Sequence, residues 1–349
     1  MFTKFWETVL EEGCKYMGAD KTNVLFNPES IREIAVSFQQ SRILLTAYEL
    51  DVFTAMEGHF STAETLAGEL NVNSGGLSRL LNALTAMGLT KKIHGKYYNT
   101  EEASRYLVKG KPEYMSGLMH TNHLWANWGT LTDSVRKGSS VLEKDTKSDE
   151  NKLDSFIGAM HYRALPQAKI YSFLIDFTGV KSILDLGGGS GAFAMTFIKN
   201  LNGAKATLFD IPGVVEIAKQ YAAKENMLDR FEYIKGDYLV DDYGSGYDLI
   251  FASAIIHINS FEENKNLVQK CFNSLNPGGQ LVISDFIMNE DRTEPKSGAL
   301  FAINMLVGTT SGNTYTEKEI CFWLNDAGFT GLSRKDTSFG SSLMIGRKP

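Results

Sequence analysis

Apolar residues recur along this chain with two different spacings, and the change falls near residue 180. Ile31, Ile34, Ala35 and Phe38 mark one helical face, continued by Ile43, Leu44, Ala47 and Leu50, the 3.6-residue period of an amphipathic helix. Ser61 with Glu64 reads as a capping box opening a helix through Leu70. Leu77, Leu80, Leu81, Leu84 and Met87 form the next stripe, ended by Gly88. Ile93-His94-Gly95-Lys96-Tyr97-Tyr98 then reads as two short strands about a glycine turn. Residues 111–135 continue as helix, Gly138 to Asn151 is a polar loop or linker, and Phe156 to Phe177 returns to helix.

Beyond Ile183 the pattern becomes short apolar runs alternating with helices. Strands are expected near 182–186, 206–210, 231–235, 247–252, 280–286, 330–335 and 342–347. Such alternation predicts an α/β, doubly wound parallel sheet. Three helices and a hairpin before it predict a mainly helical winged helix. The expected division is 1–110, a connecting stretch 111–155, and 156–349.

The run Ile183-Leu184-Asp185-Leu186-Gly187-Gly188-Gly189-Ser190-Gly191-Ala192 joins an apolar strand to a helix through a glycine loop. A helix N-terminus behind glycines is a nucleotide-type cradle. Gly187, Gly189 and Ala192 satisfy G-x-G-x-x-G/A, and Asp210 follows at the distance of a ribose-binding carboxylate. Taken alone this admits a nicotinamide cofactor. Asp185 before the glycines, however, suits an ammonium and would repel a pyrophosphate. Gly236-Asp237-Tyr238 supplies a second acid for an adenine amino group, and Tyr247 to Ser253 runs a fourth strand into the same place. These favour S-adenosylmethionine, with Ser253 near its carboxylate or sulfonium end.

The ordered set of the glycine loop, Phe209-Asp210-Ile211-Pro212-Gly213-Val214, Gly236-Asp237, Ile255-Ile256-His257, Leu275-Asn276-Pro277-Gly278-Gly279 and Tyr315-Thr316-Glu317-Lys318-Glu319-Ile320 resembles the class I O-methyltransferases of the plant caffeate and bacterial small-molecule family. The resemblance covers the C-terminal half; Phe53, Leu66-Ala67 and Leu80-Leu81 to Gly88-Leu89 match more loosely. It implies a Rossmann-like methyltransferase sheet whose last two strands form an antiparallel hairpin. It also implies an N-terminal module that makes a homodimer, and a base at His257. Met160 falls in a helix that covers the cofactor in that family, although core packing reads equally well. Asp285 stands where the plant enzymes carry a glutamate beside the histidine, and their second glutamate falls at Thr314. Ile258-Asn259 depart from the usual Asp-Trp. For His257, Asp210 and Asp237, backbone hydrogen bonding in turns and caps is the structural alternative.

Methyl transfer from a sulfonium requires alignment and removal of one proton. A phenol ionises near ~10 and an imidazole near ~6.5, so a histidine can accept that proton as the bond forms. Met119 to Trp125 and Phe301 to Leu306 should wall the acceptor, with His120, His123, Asn304 and Met305 facing it. His120 and His123 lie on one helical face without a third ligand, so no metal is expected. The second segment is apolar apart from Asn304, implying a small, mostly hydrophobic substrate.

A net charge of −6 over 349 residues argues against a nucleic-acid partner. Arg79 is the sole basic residue of the would-be recognition helix, against Lys91, Lys92 and Lys96 near the wing. Cys14, Cys271 and Cys321 are scattered, as in a reducing cytoplasm. The start Met1 to Trp6 lacks the apolar core of a signal peptide, and no stretch approaches a membrane span. The expectation is a cytoplasmic, homodimeric, metal-independent O-methyltransferase. C- or N-methylation of an aromatic or tetrapyrrole, and a cofactor-binding winged-helix regulator, are the alternatives.

Overall fold

Asn27 opens the first helix of the computed structural model, which describes residues 27–142 and 150–349. Its side chain accepts the Ser30 N–H while Ser30 Oγ accepts the Asn27 N–H, and Pro28 takes the first helical position. Cys14, Met1 to Trp6 and half of the expected linker lie outside the described residues. The chain divides into two compact units after Tyr114.

The first unit contains α1 (Pro28–Val36), α2 (Phe38–Glu49), α3 (Val52–Ala55), α4 (Ala63–Glu69), α5 (Ser74–Ala86), β1 (Thr90–Ile93), β2 (Lys96–Asn99) and α6 (Glu101–Leu107). Leu45, Val52, Phe53, Met56, Leu66, Leu81, Leu84 and Tyr97 make its core. The strands pair antiparallel about His94 and Gly95, both at positive φ. The Ser61 reading is corrected: Ser61 exchanges both backbone hydrogen bonds with Tyr97, so it is extended and paired. Thr62 therefore becomes the cap, its side chain accepting the Thr65 N–H. The apolar face of α1 forms but buries nothing: Ile31 and Ile34, with Phe38 at the start of α2, are all more than half exposed.

The second unit begins with α7 (Leu118–Trp128), α8 (Leu131–Lys137) and α9 (Glu150–Leu174). The single helix expected over 111–135 is thus two, interrupted at Gly129 and Thr130. Next come β3 (Ser182–Leu186), α10 (Ala192–Lys199), β4 (Lys205–Asp210), α11 (Pro212–Lys224), β5 (Phe231–Lys235), β6 (Tyr247–Ser253), α12 (Phe261–Ser274) and β7 (Leu275–Asp285). The chain ends with β8 (Ile287–Met288), α13 (Lys296–Gly308), β9 (Tyr315–Thr316), α14 (Glu317–Ala327), β10 (Thr330–Asp336) and β11 (Ser342–Arg347).

Seven strands form one sheet in the order β10-β11-β7-β6-β3-β4-β5. The five from β7 to β5 are mutually parallel, and β10 and β11 form the antiparallel hairpin. Both faces of the central strands are buried. Ile183, Leu208 and Phe251 pack with Phe193, Phe197 and Tyr171 on one side. Leu184, Phe209 and Ile250 pack with Leu267 and Trp323 on the other. Two-sided burial explains why these strands read as continuous apolar runs rather than as alternation. From β3 the chain steps outward through β4 and β5, then returns to β6 on the opposite side of β3. That reversal is the switch point where open α/β sheets bind ligands, at the carboxyl ends of the strands. Among the described residues, no helix is long and apolar enough to cross a membrane.

Candidate active site

The loop after β3 is held by main chain. Gly187 and Gly188 N–H both donate to the Phe209 carbonyl, and Gly191 N–H donates to Gly188. Gly187 has φ +62°, and a Cβ there would lie 2.7 Å from Ile255 Cδ1. Gly189 has φ +57° but faces open space, where a Cβ would meet nothing within 4 Å. One glycine is required by packing and strain, the other by strain alone.

Asp210, at the tip of β4, accepts the Gly189 N–H at 2.9 Å on Oδ2 and the Ile211 N–H at 2.8 Å on Oδ1. A carboxylate has about four acceptor directions, so two remain for a diol. Burial raises its pKa above the usual carboxylate range. Asp185 lies in β3, just before the glycines. It is buried beneath the loop, and Oδ2 accepts the Ala194 N–H in the first turn of α10. Burial pushes its carboxyl up to about 8.

Asp237 is exposed after β5, and its Oδ1 accepts the Leu239 N–H, which makes a turn instead of the helix cap considered as its alternative. Tyr238 is half-buried beside it, its hydroxyl donating to Asn259 Oδ1 at 3.1 Å. Ser253 ends β6 half-buried. A glycine cradle, a carboxylate with spare acceptor capacity and an aromatic ring suit an adenosyl group. The residues present therefore fit S-adenosylmethionine.

Beyond Ser253 the backbone kinks at Ala254, φ +58°, whose N–H donates to Ser284. A side chain in this region is strained, and the kink carries Ile255 onto Gly187. His257 follows, buried, with Nδ1 2.9 Å from both oxygens of Asp285 at the end of β7. Asp285 Oδ1 also accepts the Phe286 N–H. A carboxylate can only accept, so the proton between them belongs to Nδ1 and Nε2 is left as an acceptor. The Phe301 ring stands edge-on to the imidazole at 4.7 Å. A capping box of Ser260 and Glu263 then turns the chain into α12.

Asn304 on α13 is half-buried, and its Oδ1 accepts the Trp128 indole N–H at 3.0 Å. Met305 is buried. His120 meets Phe156 edge-on at 5.0 Å, and burial lowers its pKa, helped by His123. Met160 is half-buried on α9. Thr314 is buried, and its carbonyl accepts from Arg292. Among the described residues, no group of three or more His, Cys, Asp or Glu is arranged to hold a metal ion.

Several residues here escaped the sequence reading. His161 Nδ1 lies 2.8 Å from Ser190 Oγ in the glycine loop, and its ring stacks on Tyr221 at 4.0 Å. Gly312 presses on the His257 carbonyl so closely that any Cβ would clash, and Asn313 N–H donates to that same oxygen. Trp128 is in the same class. No local pattern marks these residues, because their partners lie far away in the chain.

A doubly wound sheet with a glycine cradle and a histidine–aspartate pair at its switch point defines a Rossmann-like methyl-transfer enzyme. Residues 133–330 match the O-methyltransferase domain and residues 33–110 the O-methyltransferase dimerisation domain. The chain is 29% identical to 3-hydroxy-5-methyl-1-naphthoate 3-O-methyltransferase of Streptomyces sahachiroi, over 86% of this chain and 89% of that protein. It is 28% identical to the tetracenomycin polyketide synthesis 8-O-methyl transferase TcmO of Streptomyces glaucescens, over 92% and 97%. Human N-acetylserotonin methyltransferase, solved with S-adenosylmethionine, superposes with a TM-score of 0.80 at 26% identity, covering 95% of this chain and 99% of that one. The chain belongs to the O-methyltransferase family, and it is an S-adenosylmethionine-dependent enzyme.

Proposed function

We propose that His257 is the general base that deprotonates a hydroxyl of a small, flat, largely apolar acceptor. The observation that carries this is the contact of both Asp285 oxygens with His257 Nδ1 at 2.9 Å. It fixes the tautomer, leaves Nε2 to receive the proton, and steadies the imidazolium that results. The bound sulfonium supplies an activated methyl group. Asp210 would hold the ribose hydroxyls, Asp237 the adenine amino group and Tyr238 the ring face. Gly187 and Gly189 allow close approach, and Ser253 and Met160 border the methionine end. Asp185 would act from beneath the loop, keeping Gly187 to Gly191 in place.

His120, His123, Asn304 and Met305 are assigned to the acceptor wall. Relatives acting on a hydroxynaphthoate and a tetracenomycin precursor support a fused aromatic phenol. We assign residues 1–110 to a winged-helix module that makes a homodimer, 111–155 to the acceptor wall, and 156–349 to cofactor binding and catalysis. The dimerisation match and the exposed Ile31, Ile34 and Phe38 support the first. Lys92, one of three lysines near the hairpin, is engaged by Asn82 and Tyr97, which favours a module without nucleic acid. A cytoplasmic location completes the reading.

The test combines a panel of naphthols and hydroxynaphthoates with mass spectrometry for an added methyl group, then His257→Ala on the accepted compound. Turnover should fall about 10²- to 10⁴-fold, with S-adenosylhomocysteine affinity within about twofold by calorimetry. A variant turning over at the parent rate would remove His257 as the base.

A further inference from the structure

We infer that Asn259 is a positioning residue that ties the cofactor-side ring of Tyr238 to the turn carrying His257. The inference rests on Tyr238 lying against the cofactor. Asn259 stands where the resembled plant enzymes have tryptophan, and the structure shows what replaces that ring. Its Oδ1 accepts the Tyr238 hydroxyl at 3.1 Å, and its Nδ2 donates to Asn264 Oδ1 at 3.1 Å. Asn264 Nδ2 donates in turn to the carbonyl of Ile256 at 2.8 Å, the residue immediately before His257. Tyr315 donates its hydroxyl to the Asn259 carbonyl at 2.6 Å.

Four segments thus meet in one polar network: the loop after β5, the turn after β6, α12 and β9. Asn259 is 3% exposed and Asn264 fully buried. Both amides are oriented by their partners, since each oxygen accepts and each nitrogen donates. Burial also holds the Tyr238 hydroxyl protonated, its pKa pushed up to about 12, so it remains a donor across the working range. In a buried network, losing one member leaves its partners unsatisfied, and the cost spreads to what they orient. Here they orient an aromatic wall at one end and the backbone of the base at the other. In-line transfer tolerates little displacement of either.

The test uses the intact enzyme and S-adenosylhomocysteine, read by calorimetry, thermal melting and the histidine ring signals in NMR, with His257→Ala assigning the His257 resonance. Asn259→Ala should raise Kd about tenfold, and Tyr238→Phe, which keeps the ring, about threefold. The double variant should be no weaker than Asn259→Ala alone, because both remove one link. The His257 signal should shift on ligand binding in the parent and lose most of that response in Asn259→Ala. Additive effects, or a lowered melting temperature with Kd within twofold and the His257 response intact, would overturn the tether and make Asn259 a packing residue. Tyr238→Ala separates the premise. If it leaves Kd unchanged, Tyr238 does not face the cofactor and the proposal falls with that reading. If it weakens binding while Asn259→Ala does not, the tether alone falls.

Discussion

Two halves of the carboxyl edge of this sheet are built by different means. Between Asp185 and Asp210 the grip is largely main chain: Gly187, Gly188 and Gly189 donate N–H groups to Phe209 and Asp210, all within the β3 and β4 strand ends. Around His257 the contacts are side chains brought from a distance. Asp285 lies 28 residues on, and Trp128 reaches Asn304 across 176. Backbone donors impose one geometry whatever the neighbouring side chains are, so the cradle suits a cofactor shared by a whole family. Side chains from separate helices can change singly, so the other half suits an acceptor that differs between relatives.

If the His257 half works through side chains, removing one atom's charge there should cost most. Asp285→Asn keeps the shape but can present an amide N–H to Nδ1, favouring the tautomer with Nε2 protonated. We expect turnover to fall about 100-fold, roughly 2.7 kcal/mol of transition-state stabilisation, with S-adenosylhomocysteine affinity nearly unchanged. Steady-state kinetics alongside calorimetry reads both. A matching loss of affinity would mean that Asp285 supports the cradle as well, and the division between halves would blur.

That division also explains what is legible in the sequence. The glycine loop, the strand-end acids and His257 can be read because each sits in a short run whose spacing carries its meaning. Asp285 is placed by its strand end and by resemblance. For Asp185 the position is legible but not the partner, because its place before a glycine loop does not reveal that Ala194 N–H in α10 will donate to it. Ser61 is displaced by pairing with Tyr97, a contact across 36 positions that capping statistics do not include. Trp128, His161 and Gly312 are opaque for the same reason, and Asn259 is visible only as a departure from the family pattern. Their roles exist only once distant segments have packed.

The cradle half should respond to backbone strain rather than to side-chain chemistry, and its glycines offer a graded comparison. Gly187→Ala meets both a positive φ and the 2.7 Å approach to Ile255, whereas Gly189→Ala meets the positive φ alone. The first should destabilise the fold by about 2–3 kcal/mol and the second by about 1 kcal/mol. Urea unfolding of the ligand-free proteins measures both. Equal losses would show that Ile255 yields freely, and that the kink at Ala254 does not press the base turn onto the loop.

Asp185 gives a distinct signature, because its effect depends on pH and is small at the acid end of the range. Its carboxyl titrates near ~3.9 in an unfolded chain and is pushed up to about 8 in the fold by burial. Between those values the folded protein holds a proton that the unfolded one has released. Stability therefore falls as pH rises from about 4 to about 8 and is flat for this group above that. Asp185→Asn has nothing to titrate, yet its amide oxygen can still accept the Ala194 N–H. Relative to the parent, the variant should gain about 1 kcal/mol for each pH unit between about pH 5 and about pH 8 in urea unfolding without ligand. A difference independent of pH would mean that the carboxylate is ionised throughout, which would return Asp185 to the role of a charged partner for the cofactor's ammonium.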